Sequence, residues 1–68
     1  MKYRIKPEVA RNIKITFKGG FFLTELGISK SYLSQVLNGK KMIPRMSAYA
    51  FTKLINSDAR IIDFFDEV

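Results

Sequence analysis

Sixty-eight residues, 47% of them hydrophobic and including six Phe and three Tyr, are enough for one small core and one domain. The chain has no cysteine, which rules out disulfides and thiolate metal sites, and no histidine, which removes the usual zinc ligand and the commonest general base. The formal charge of +6 points to a polyanionic partner, nucleic acid before an anionic membrane surface.

The charge is unevenly spread. Eleven of the twelve Lys and Arg residues precede position 54, and four of the six acids follow position 57. This asymmetry suits a DNA-facing side and an opposite side turned away. The longest apolar run, AYAF at 48–51, is far too short to span a bilayer or to form a signal-peptide core, so a cytoplasmic chain with no membrane partner is expected.

Residues 2–6, KYRIK, alternate polar and apolar. They fit either a short strand or a basic N-terminal arm over 1–6 in which Lys2 and Arg4 track a groove. Pro7 suits the first position of a helix, where its missing N–H is not needed. Val9, Ile13 and Phe17 then recur at four-residue spacing, and Glu8 lies in the first turn, where the dipole favours a negative charge. Helix one is read as 7–17, ended by Gly19 and Gly20. Helix two is short, 20–26, with Phe22, Leu23 and Leu26 inward and Gly27 providing the turn.

Helix three carries the densest local signals. Ser29 is the N-cap. Ile28 before it and Leu33 after it form a hydrophobic staple. Leu33, Val36 and Leu37 make an apolar stripe, and burying them contributes on the order of 2 kcal/mol each. Ser31, Ser34, Gln35 and Asn38 make the opposite stripe, with Lys30 and Tyr32 at its edges. Asn38 and Gly39 stop the helix. After the loop at 40–44, helix four is read as 45–55, with Met46, Ala50, Phe51 and Leu54 inward and Ile55 at the margin. Ser57 is read as the cap of helix five, where Ile61, Ile62, Phe64, Phe65 and Val68 form a broad apolar face. The expected architecture is an all-α, compact five-helix domain covering 1–68.

Gly27-Ile28-Ser29, Leu33, Val36-Leu37 and Asn38-Gly39-Lys40 resemble the lambda-repressor-like helix-turn-helix family of phage repressors, Cro proteins and small bacterial regulators. The resemblance covers nearly the whole chain and is strongest over 22–40. It implies a five-helix lambda-repressor-like fold whose helices two and three read DNA, the second of them in the major groove. Carried onto this sequence, the base-contacting positions are Lys30, Ser31, Ser34 and Gln35. A Gln amide pairs bidentately with adenine N6 and N7, and a lysine donates to guanine O6 or N7. The phosphate-gripping loop matches Asn38, Lys40 and Lys41. The chain departs from the family at the start of helix two, where Lys18-Gly19-Gly20 replaces a polar bracing side chain. There the Gly20 backbone N–H, assisted by Lys18, is the expected phosphate contact. Tyr32 reads equally as a contact to a phosphate or thymine methyl and as packing against a neighbouring helix. Arg11, Lys14 and Arg45 read as general surface charge.

The function expected from these residues is sequence-specific binding of double-stranded DNA by a small Cro- or repressor-type transcriptional regulator, nucleoid-associated in a bacterial or phage-infected cell. A weak homodimer completed on DNA is expected, its seam drawn from the apolar surplus Phe64, Phe65 and Val68, with Phe21 second. No cofactor, metal, small-molecule effector or appended effector domain is expected, and no enzymatic activity, because no base, metal cluster, phosphate loop or carboxylate pair accompanies the serines and lysines. The alternative is a protein-interaction module, antitoxin-like or an assembly partner, docking through the apolar face of helix five. The acidic, Phe-rich end DFFDEV motivates it.

Overall fold

A computed structural model describes residues 1–16 and 21–68, with the side chains of Phe21 and Phe22 left out. The order is β1 (Lys2–Ile5), α1 (Pro7–Thr16), a 3-10 helix (Phe21–Leu26), α2 (Lys30–Leu37), β2 (Ile43–Pro44), α3 (Arg45–Ile55), α4 (Ile61–Phe64) and β3 (Phe65–Glu67). The expected helix stop at Gly19 and Gly20, and the inward roles of Phe17 and Phe22, lie outside the described residues. No described helix is long and apolar enough to cross a membrane.

The all-α expectation is overturned. Among the described residues, four α-helices pack with a three-stranded antiparallel sheet in the order β2-β1-β3, so the domain mixes helix and sheet. The alternation of residues 2–5 is therefore that of a strand, and a free N-terminal arm is excluded over this segment. Tyr3 and Ile5 are buried while Lys2 and Arg4 are exposed, the period of two expected of a half-buried strand. Tyr3 pairs with Ile43 of β2 on one side and with Glu67 of β3 on the other. The β1–β3 ladder is closed at its ends by Lys6 N–H donating to the Phe64 carbonyl and Val68 N–H to the Lys2 carbonyl, each at 2.9 Å. Pro44 lies on the edge strand, where its lack of an N–H removes no internal ladder bond.

The core forms between the inner face of the sheet and the helices. Tyr3, Ile5, Ile13, Leu23, Leu33, Leu37, Ile43, Phe51 and Phe65 are its largest members. The Phe51 and Phe65 rings meet edge to face at 6.2 Å between centroids, an arrangement aromatic quadrupoles favour.

Two helical expectations fail for physical reasons. In α3, Ala48, Phe51 and Thr52 are buried and Ile55 is half-buried, whereas Met46 is 85% exposed. Phe51 is inward as expected and Leu54, like Ile55, is half-buried against the core, but the fully buried line 48/51/52 takes Ala48 and Thr52, and Met46 is not inward. Thr52 tolerates this position because its hydroxyl donates to the Ala48 carbonyl at 2.8 Å. Helix five does not start at Ser57. Asn56 Oδ1 accepts the Asp58 N–H at 2.9 Å in an Asx turn, and Lys53 Nζ donates to the Ser57 and Ala59 carbonyls at 3.2 and 2.7 Å. The Ser57 carbonyl, which a helix begun there would offer to Ile61, is held by the lysine instead. A single turn then forms at Ile61–Phe64, capped by Asp63 accepting the Arg60 N–H at 2.9 Å, and the chain enters β3.

Candidate nucleic-acid interface

The local signals around α2 produce the geometry they imply. Ser29 has extended backbone angles, and its hydroxyl accepts the Tyr32 N–H at 3.1 Å, satisfying one orphan donor of the first turn. Gly27 ahead of it adopts φ +80, a conformation open to glycine and strained for other residues. Leu33, Val36 and Leu37 are buried and half-buried Ile28 packs on the same core, so the rotation of the helix about its axis is set. With that face down, Lys30, Ser31, Ser34 and Gln35 are all exposed on the other. The four predicted base-reading positions therefore share one solvent-facing surface.

The helix ends as tightly as it begins. Asn38 N–H donates to the Ser34 carbonyl and Gly39 N–H to the Val36 carbonyl, while the N–H groups of Lys40 and Lys41 both donate to the Gln35 carbonyl, at 2.9 and 3.2 Å. Gly39 has φ +73, the left-handed conformation that terminates a helix this way. These bonds satisfy the Ser34, Gln35 and Val36 carbonyls, three of the four that a helix end leaves without intrahelical partners. They also fold the two lysines back beside the last turn.

Tyr32 fulfils the packing alternative: it is half-buried against the core. Its ring also faces the Lys41 ammonium, 5.4 Å from the ring centroid, a cation–π contact that holds this lysine beside α2. Asn38 Nδ2 donates to Ser34 Oγ at 3.3 Å, and Asn38 Oδ1 accepts from Lys14 Nζ. The predicted contacts at Lys18 and Gly20, and the dimer role of the Phe21 side chain, lie outside the described residues.

The structure adds residues that reading along the chain left as background. Arg4, Arg11 and Lys14 line a groove of about 500 Å³ that also reaches Leu37, Asn38 and Gly39 at the end of α2. Sequence spacing shows Arg11 and Lys14 on one side of α1, but only the tertiary packing places that side against the end of α2.

The proposed dimer seam is corrected in part. Phe65 is 1% exposed and belongs to the core, because the β1 register turns its side chain inward beside Ile5. Phe64 is half-buried and packs on the same core. Val68, 58% exposed, and Ile62 remain on the surface. The broad helix-five face on which the protein-interaction alternative rested is thus split between core, strand and solvent. No family model, no curated protein and no solved structure matches this chain.

Proposed function

We propose that this chain binds double-stranded DNA sequence-specifically with α2 in the major groove, acting as a small transcriptional regulator of Cro or repressor type in the cytoplasm of a bacterial or phage-infected cell. The supporting observation is the two-faced, doubly capped α2: its apolar face is buried in the core, while Lys30, Ser31, Ser34 and Gln35 face outward together, flanked by Lys40 and Lys41. Donors and acceptors of this kind at the start of an exposed helix match what major-groove edges present. The lysines at its far end match the phosphate contacts that fix register. The resemblance over 22–40 points the same way, now resting on the helix-turn-helix segment alone.

A single α2 reads only a few base pairs, so two-fold pairing on DNA, with recognition helices about 34 Å apart, supplies the remaining specificity. Ile62 and Val68, with the exposed part of Phe64, are the surface left for that contact.

The test is duplex binding measured across salt concentrations, with selection of bound sequences from a random pool. About six phosphate contacts give a log–log slope of about −5. Replacing Lys40 and Lys41 with Ala flattens the slope and weakens all sequences alike, and the selected motif is two-fold symmetric. An absence of duplex binding at low salt, or a slope near zero, overturns the reading.

A further inference from the structure

Three cations from two separate elements meet at the end of the recognition helix. Arg4 leaves the outer face of β1 and lays its stem over Gly39: a Cβ on that glycine would lie 3.9 Å from Arg4 Cδ. Lys14 leaves the last turn of α1 and donates to Asn38 Oδ1. Arg11 lies three residues before Lys14, so the two share one side of α1. The floor between them is apolar, with Ile5, Ala10 and Leu37 buried.

The groove holds no counter-charge. Among the described residues, no acidic side chain lines it. Asp66, the cross-strand neighbour of Arg4, instead faces Lys6 at 3.9 Å and lies outside the groove. Among the described residues, none of the three cations forms an ion pair. Turn N–H groups occupy the Ser34, Gln35 and Val36 carbonyls at the end of α2. Like charges gathered over an apolar floor repel one another unless an anion joins them. Two guanidinium forks and an ammonium are the donor set that fits phosphate oxygens.

We propose that this groove is a phosphate site that takes a backbone phosphate of bound DNA, beside the stretch of backbone gripped by Lys40 and Lys41. The placement rests on the DNA-binding reading above, whereas the phosphate chemistry of the groove does not. It extends the protein's footprint from the recognition helix across α1 and β1, and it gives the strand segment 2–5 a binding role besides its place in the sheet.

The experiment compares the parent chain, Arg11→Gln/Lys14→Gln and Lys40→Ala/Lys41→Ala on one duplex across a salt series. Arg4→Gln is added where circular dichroism shows the triple variant folded. Arg11 and Lys14 are both exposed, so the double variant keeps the fold. The expected result is a slope flattened by about one unit, at roughly 0.9 for one phosphate contact, with affinity at about 0.1 M salt lowered about tenfold. In parallel, the Gly39 amide resonance is followed as inorganic phosphate replaces chloride at constant ionic strength. It is expected to shift in the parent and stay fixed in the double variant. An unchanged slope in Arg11→Gln/Lys14→Gln, while Lys40→Ala/Lys41→Ala flattens it, overturns the groove and leaves the DNA reading standing. A phosphate-dependent shift at Gly39 in a parent that binds no duplex at any salt overturns both the DNA reading and the backbone source, leaving a site for a free phosphate compound. No phosphate shift and no slope change together reject the groove outright.

Discussion

Two stretches of similar length behave differently in this molecule. Residues 29–41 fold as their local chemistry directs: the Ser29 cap, the Ile28 and Leu33 contacts, the stripe of Leu33, Val36 and Leu37, and the left-handed Gly39 all point to one helix with one buried face. Residues 57–68 have a richer apolar pattern, and it reads as a helix. Yet the segment divides into a turn, a single helical turn and a strand. The difference lies in where the decisive partners are. In the first stretch they are within six residues along the chain. In the second, Lys53 takes the Ser57 carbonyl from four residues away, but the partner that decides the end of the segment is the strand at residues 2–5, which pairs with Phe65–Glu67 across the whole length of the sequence. Agreement among local signals makes a segment legible, and competition from distant backbone makes it illegible.

Breaking the distant side of this comparison has the largest expected effect. Phe65→Ala removes a fully buried ring that meets Phe51 and lies opposite Ile5, and it costs about 3–5 kcal/mol. A chain of this length has roughly 3–10 kcal/mol in total, so thermal or urea unfolding shows the variant largely unfolded or close to it. A loss below about 1 kcal/mol, with the helices intact by circular dichroism, contradicts the assignment of β3 to the core. Leu33→Ala is the matching change in the local stretch. It leaves a cavity under α2 and costs about 2–5 kcal/mol, read as a lowered urea midpoint.

The exposed face of α2 responds in the opposite way. Gln35→Ala lowers affinity for the preferred duplex by about 1–3 kcal/mol and relaxes selectivity at a limited set of base pairs, while the unfolding midpoint stays where it was. An unchanged selected motif shows that α2 reads no base there. The smallest effect sharpens the account of local signals. Ser29→Ala removes the acceptor for the Tyr32 N–H and costs about 1 kcal/mol of stability, whereas Ser29→Asp or Ser29→Asn retains it. Equal midpoints for Ala and Asp at this position mean that the cap contributes nothing and the stripe alone sets the helix.

The candidate surface divides along the same line as the fold. Lys30, Ser31, Ser34 and Gln35 are legible as one surface because helical spacing fixes which side chains share a face once the buried stripe is known. Lys40 and Lys41 follow directly behind the helix stop. The convergence of Arg4, Arg11 and Lys14 is not legible, since their sequence separation says nothing about which end of α2 they approach. In α3 the same limit appears within a single helix. Phe51 and Leu54 are legible as inward residues, but Met46 turns outward and the buried line includes Thr52, whose hydroxyl disguises it until the Ala48 carbonyl supplies a partner.

Determined by the sequence alone were the elements whose bonds close within a turn or two: α1 from Pro7, α2 between Ser29 and Asn38, α3 over Arg45–Ile55, and the basic body with its acidic end. Decided only by the tertiary structure were the sheet, the burial of Thr52 and Phe65 and the gathering of three cations beside Gly39. The physical reason is that a helix satisfies its own backbone through neighbours four residues away, whereas residues 2–5 and 65–67 have backbone donors and acceptors that are satisfied only when they find each other across the chain.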